Sequence, residues 1–166
     1  TPNPQYHKDL PRFVAEEFVE GNFLGLPSKD GNVDIVVLQV PYELTTSYGH
    51  GTAEGPAACV AASGQVELFD PIIAEDLPAG YNIHTAPAWS GEGNTLDQQL
   101  ANICSYLIEW NNGHTFPVIL GGEHGILPPI LKSLANHPLI SSDYSRLNVV
   151  QIDAHADLRQ ELGGEP

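Results

Sequence analysis

Apolar runs of two kinds alternate along the chain. Val33–Val40 is β-branched and almost continuously apolar, which predicts a strand buried on both faces, as in a parallel sheet. Phe116–Leu120 and Leu147–Ile152 are runs of the same kind. Within Leu96–Asn111, apolar residues recur at helical spacing after a capping-box pattern that begins at Thr95, so this stretch is predicted to be a helix.

Shorter patterns fill the intervals between these elements. Pro56–Ser63 and Ile126–Ala135 are predicted helices. Ile72–Asn94 has no clear hydrophobic period and is predicted to be irregular, with a short edge strand. Strands and helices therefore alternate, which predicts an α/β fold with a doubly wound, mostly parallel sheet. Residues 33–166 would form this domain, and residues 1–32, rich in proline and glycine, an N-terminal extension that packs on it or on a neighbouring subunit.

Two of the predicted strands run directly into polar side chains that can bind a metal ion. Asp153, His155 and Asp157 alternate after the last strand, so a period of two sends all three to the same side. Carboxylates and an imidazole packed this closely would be costly to bury without a cation. His124 and Glu123 follow the preceding strand through two glycines. A lone histidine in this position is more often a turn or helix-capping residue than a metal ligand.

With these motifs in view, the chain resembles the ureohydrolase (arginase/agmatinase) family, and most of all agmatinase. The family's Gly-Gly-Asp-His and Asp-Ala-His-x-Asp motifs correspond to Gly121–His124 and Asp153–Asp157, and Pro41–Pro56 is similar to its early loop. The sequence departs from the pattern at Glu123, where the family has aspartate. It also ends at Pro166, before the family's second aspartate cluster, so the resemblance implies the N-terminal part of an arginase-like three-layer domain that would be inactive alone.

The resemblance implies a site with a pair of Mn²⁺ ions, although Ni, Co, Fe or Zn also suit such ligands. His124 and Asp157 would bind one ion, His155 the other, and Asp153 would bridge them. A metal-bridging hydroxide would then attack the guanidinium carbon. Glu123 could orient a ligand as an outer acceptor, and His50, in the early loop, could face the substrate or simply be a solvated loop histidine.

For function, the resemblance implies hydrolysis of agmatine to putrescine and urea by a homo-oligomer, a trimer or hexamer. The cysteine usage and the lack of a signal-peptide pattern favour a cytoplasmic setting. Arginine, guanidinobutyrate, guanidine and formiminoglutamate are alternative substrates, and a non-catalytic metal-binding subunit with the same fold is an alternative from another class. The net charge of −15 argues against nucleic acid or an anionic membrane as partner and would favour a small cationic substrate. Two cysteines without disulfide or zinc spacing, and no apolar stretch of transmembrane length, fit a reducing, soluble setting.

Overall fold

A computed structural model of the chain describes residues 18–46 and 48–155. Within these ranges strands and helices alternate as the sequence predicts, except that three strands in succession separate the first helix from the second. They are β1 (Ile35–Val40), α1 (Gly55–Ser63), β2 (Phe69–Asp70), β3 (Glu75–Asp76), β4 (Ile83–Thr85), α2 (Leu96–Ile108), β5 (Phe116–Gly121) and α3 (Leu127–Ser133).

The main sheet has the order β4-β1-β5, and both of its pairings are parallel. Val37 lies opposite Thr85 on one side and Val118 on the other, so β1 is the central strand. The short strands β2 and β3 form a separate antiparallel pair. This arrangement confirms the predicted α/β class with a mostly parallel sheet, and it confirms that β4 is the edge strand expected within Ile72–Asn94.

The core lies against the two faces of β1. Val36, Leu38 and Val40 point to one face and pack in a buried cluster with Ile103 and Leu107 of α2. The residue between the first two, Val37, is equally buried and points to the opposite face, and α1 packs against both β1 and β5. Coverage of both faces explains why this strand is apolar at nearly every position.

All three helices begin within one residue of their predicted starts. The first helix ends at Ser63 as predicted, whereas α2 and α3 end earlier than predicted. At the start of α2 the Thr95 hydroxyl accepts a hydrogen bond from the Gln98 backbone N–H at 3.3 Å, as a capping box requires. The helix ends at Ile108, before the predicted end at Asn111. The short helix α3 is flanked by 3₁₀ turns, so tighter turns replace the ends of the predicted Ile126–Ala135 helix.

The predicted strand Leu147–Ile152 is wrong for the described structure. These residues belong to no strand, and Val150 and Ile152 are 87% and 98% exposed. An isolated strand cannot satisfy its backbone groups or bury its side chains without a neighbour. Among residues 18–46 and 48–155, no strand pairs with this segment, and the second edge of β5 is also unpaired.

Part of the N-terminal extension contacts the domain. Residues 1–17 lie outside the described ranges, but the Phe23 N–H donates to the Thr85 hydroxyl and the Leu24 N–H to the Ser63 hydroxyl, both at 2.8 Å. These bonds fix the 3₁₀ turn Phe23–Gly25 beside β4 and α1. The helices within the described residues are all too short or too polar to cross a membrane.

Candidate metal centre and the loops around it

The carboxyl ends of β1 and β5 lie side by side, because the two strands are parallel neighbours that pair as far as Val40 and Gly121. Pairing continues beyond the strands: the Gly122 N–H donates to the Val40 carbonyl at 3.1 Å, and the Glu123 N–H to the Tyr42 carbonyl at 3.0 Å. A Cβ on Gly122 would collide with that Tyr42 carbonyl oxygen. This glycine therefore lets the two loops pass in close contact.

Three of the four predicted metal ligands meet at Asp153. The His124 Nδ1 lies 3.8 Å from one Asp153 oxygen, and the His155 Nδ1 lies 3.9 Å from the other. Both imidazoles are largely exposed. The fourth predicted ligand, Asp157, lies outside the described residues. Within 18–46 and 48–155 no three His, Cys, Asp or Glu side chains are arranged to hold a metal ion, so the ligand assignment stays a prediction.

Asp153 is held in its ionised form by local hydrogen bonds. The pKa of its carboxyl is lowered chiefly because the His155 backbone N–H donates to Oδ1 at 2.9 Å. The Gln151 side chain and the neighbouring imidazoles of His124 and His155 lower it further. An anionic carboxylate between two imidazoles is a suitable donor set for Mn²⁺ and for the other first-row divalent ions, so the residues present fit the group that the sequence implies.

Glu123 faces the loop that follows β1. The residue is only 8% exposed, and both carboxylate oxygens accept from the Thr45 backbone N–H at 3.0 Å. The Thr45 hydroxyl donates to Oε1 at 2.7 Å. Burial, and then the nearby charge of Glu123, raises the pKa of Tyr42 to about 12. The described partner of Glu123 is thus the early loop, whereas the sequence pointed to a metal ligand as its partner.

His50 lies in the loop after β1, whose two ends are joined by hydrogen bonds to the Glu43 carboxylate. Glu43 accepts from the backbone N–H groups of Gly51 and Ala53 at 2.8 to 3.0 Å and from the Thr52 hydroxyl at 3.1 Å. The His50 Nδ1 lies 3.2 Å from Glu43 Oε1, while its ring is exposed. Hydrogen bonding to Ala53 first, and then to Gly51, Thr52 and His50, lowers the pKa of Glu43 to about 2.

Sequence reasoning missed Glu43 and Thr45 as organising residues. The separation between Thr45 and Glu123 is 78 positions, so no local pattern joins them. The available signal was topological. Once β1 and β5 are taken as neighbours in a parallel sheet, the polar residues that follow their carboxyl ends are expected to meet.

A family model described as "Arginase family" matches residues 33–166 of this chain. The N(1)-aminopropylagmatine ureohydrolase of Synechocystis is 30% identical over 139 residues, which cover 78% of this chain and 42% of that protein. The agmatinase of Bacillus anthracis is 30% identical over 133 residues, covering 80% and 43%. The chain thus spans well under half the length of the curated relatives that it matches.

A solved structure supports the fold. The formiminoglutamase of Trypanosoma cruzi, determined with Mn²⁺, superposes with a TM-score of 0.56 at 17% identity, covering 67% of this chain and 39% of that one. With the family model spanning the sheet, the loop after β1 and both predicted ligand motifs, the chain belongs to the Arginase family.

Proposed function

We propose that this chain carries part of the active site of a metal-dependent ureohydrolase that releases urea from agmatine. The observation that carries the proposal is the approach of His124 and His155 to the two oxygens of Asp153. This juxtaposition persists although the segment before Asp153 is not a strand. The names of the relatives that the chain matches supply the reaction class.

The chain's own residues would prepare the site in two ways. His124, Asp153, His155 and Asp157 would hold Mn²⁺, and the metal would supply an activated water for attack on the guanidinium carbon. The N–H of His155 orients the Asp153 carboxylate, and its lowered pKa keeps it anionic at neutral pH. A carboxylate that is already ionised and positioned needs little rearrangement to accept a cation.

The acidic surface would assist capture of the substrate. With 21 acidic and 6 basic residues, the chain presents a strongly negative surface. A guanidinium compound with a cationic tail, such as agmatine, would be drawn to it at low ionic strength. Association should therefore slow as salt is added.

The test compares two Asp→Asn substitutions in the complete gene product. Asp153→Asn should reduce bound Mn to below about a tenth and urea release by about a hundredfold or more, since a proposed ligand is lost. Asp143→Asn is the matched control, because Asp143 Oδ1 also accepts from the backbone N–H two residues on, that of Ser145. Metal analysis and urea release should be normal in this control, and a normal Asp153→Asn protein would refute the ligand assignment.

N(1)-aminopropylagmatine is the second candidate substrate, because a relative at 30% identity carries that name. Both compounds present the same guanidinium group and differ in the length and charge of the tail. Comparing kcat/KM for the two, with arginine, guanidinobutyrate and formiminoglutamate alongside, identifies the preferred tail. Metal binding without turnover of any of them would favour a non-catalytic subunit.

A further inference from the structure

A buried carboxylate joins the two loops that border the candidate metal centre. Glu123 directly precedes His124, yet both of its oxygens turn toward Thr45, which supplies a backbone N–H and a hydroxyl. Burying a charge is costly unless hydrogen bonds compensate for the lost water. Here a single residue of the opposite loop provides the donors, so the bond network holds Glu123 and Thr45 in one relative position.

Glu123 is bonded to the loop after β1 at two places, and Thr45 is the second of them. The first is the backbone bond from the Glu123 N–H to the Tyr42 carbonyl. Tyr42 is itself fixed, with its ring buried in the core and tilted against Trp89 at a centroid distance of 6.3 Å. The start of the loop is therefore anchored through Tyr42 by the core and through Thr45 by Glu123.

Beyond Thr45 the loop is closed on itself by Glu43, which binds the N–H groups of Gly51 and Ala53. This closed portion carries the exposed ring of His50. It follows the carboxyl end of β1, beside the end of β5 from which His124 projects. In parallel α/β sheets ligands bind at this edge, so the loop forms a wall next to the proposed metal ligands.

We infer that Glu123 is a positioning residue that acts through Thr45 on the loop after β1, and that this loop recognises the part of the substrate beyond the guanidinium group. The inference rests on the proposed function. Both Glu123 oxygens accept hydrogen bonds from Thr45. Removing the Glu123 carboxylate should therefore free the loop after β1 to move, while His124 stays close to Asp153. The predicted signature is weaker substrate binding with unchanged metal content.

Glu123→Gln tests this, because the amide keeps the shape but offers one acceptor oxygen in place of two. Losing a hydrogen bond to a charged group should raise KM for agmatine about tenfold, with kcat changed less than about twofold. Inhibition by free guanidinium ion, which has no tail, should be unaffected. Glu67→Gln, an exposed residue of the same type, is the matched control and should leave both constants unchanged.

Thr45 provides the complementary series. Thr45→Val removes the hydroxyl and keeps the N–H, so it should reproduce the KM effect, and Thr45→Ser, which restores a hydroxyl, should largely reverse it. These variants carry the test if Glu123→Gln does not fold. A fall in kcat or in bound Mn at unchanged KM would overturn the inference, since Glu123 would then act on the metal ligands.

Hydrogen exchange gives a readout that needs no turnover. In Glu123→Gln, the Thr45 amide should exchange about tenfold faster, and amides of β1 should keep their protection. Unchanged exchange at Thr45 together with an unchanged KM would refute the inference. If the wild-type protein hydrolyses no guanidino compound, the proposed function fails, whereas the exchange result still decides whether Glu123 holds the loop.

Discussion

Two regions of this molecule have the same kind of sequence and fold differently. In the first, the runs of β1 and β5 lead into Tyr42 and Glu123. In the second, the run 147–152 leads into Asp153 and His155. All three runs are rich in β-branched and apolar residues and are followed by polar groups. The first two pair in a parallel sheet, where β1 is buried and β5 is half-buried, whereas Val150 and Ile152 of the third are exposed.

The difference lies in the available partners. β1 has a parallel neighbour on each edge and helices against the sheet, so its backbone groups are bonded and its side chains covered. Segment 147–152 has no such neighbour in the part of the chain that the structure describes. An apolar, β-branched pattern shows that a segment can form a buried strand. The segment becomes buried only when a neighbouring strand and covering helices are present.

The largest expected effect comes from placing a charge in each run. Val37→Asp should lower the free energy of unfolding by roughly 4 kcal/mol or more, because Val37 is fully buried and an unpaired carboxylate there loses its hydration. Val150→Asp should change it by less than about 0.5 kcal/mol, because this side chain is exposed. Urea denaturation of the 166-residue chain measures both. Large and equal effects of the two substitutions would contradict the exposed position of Val150.

A second prediction concerns the contact between the two loops. Gly122→Ala should destabilise the protein by about 3 kcal/mol, since the added methyl meets the Tyr42 carbonyl and the backbone must shift. Gly55→Ala is the control: its φ of −54° is helical, and a Cβ there makes only an ordinary contact with the Gly121 carbonyl. It should be neutral or stabilising by up to about 1 kcal/mol. Similar losses for both substitutions would contradict the close passage at Gly122.

Local and periodic features of the fold could be predicted from the sequence. The start of α2 at Leu96 follows from the capping residue Thr95, which bonds the backbone three residues further on. The burial of β1 follows from its nearly continuous run of β-branched and apolar residues. The parallel sheet follows from the alternation of strands and helices. Each of these depends on neighbouring residues or on simple connection rules.

Features that depend on distant residues could not be predicted. The alternation in Asp153–Asp157 indicated a shared direction, and the family resemblance implied a bridging role for Asp153. The alternation assumed a strand that the described chain does not form. The bonds from Thr45 to Glu123 join two loops through a register that only the folded sheet sets. Glu43 binds residues eight to ten positions away, a span that matches no helical or strand period.

The smallest expected effect is spectroscopic and concerns the loop that follows β1, where Glu43 accepts the backbone hydrogen bonds. The folded pKa of Glu43 is about 2, against an ordinary value of 4.5. The unfolded carboxyl therefore binds a proton first as pH falls, so the stabilisation from Glu43 is complete above 4.5 and is lost as pH falls toward 2. The Gly51 and Ala53 amide resonances, which report this carboxylate, should stay flat through the range in which an ordinary glutamate titrates. Glu43→Gln should shift both resonances at neutral pH, and a wild-type midpoint near 4.5 would show that the loop is not closed by Glu43 as described.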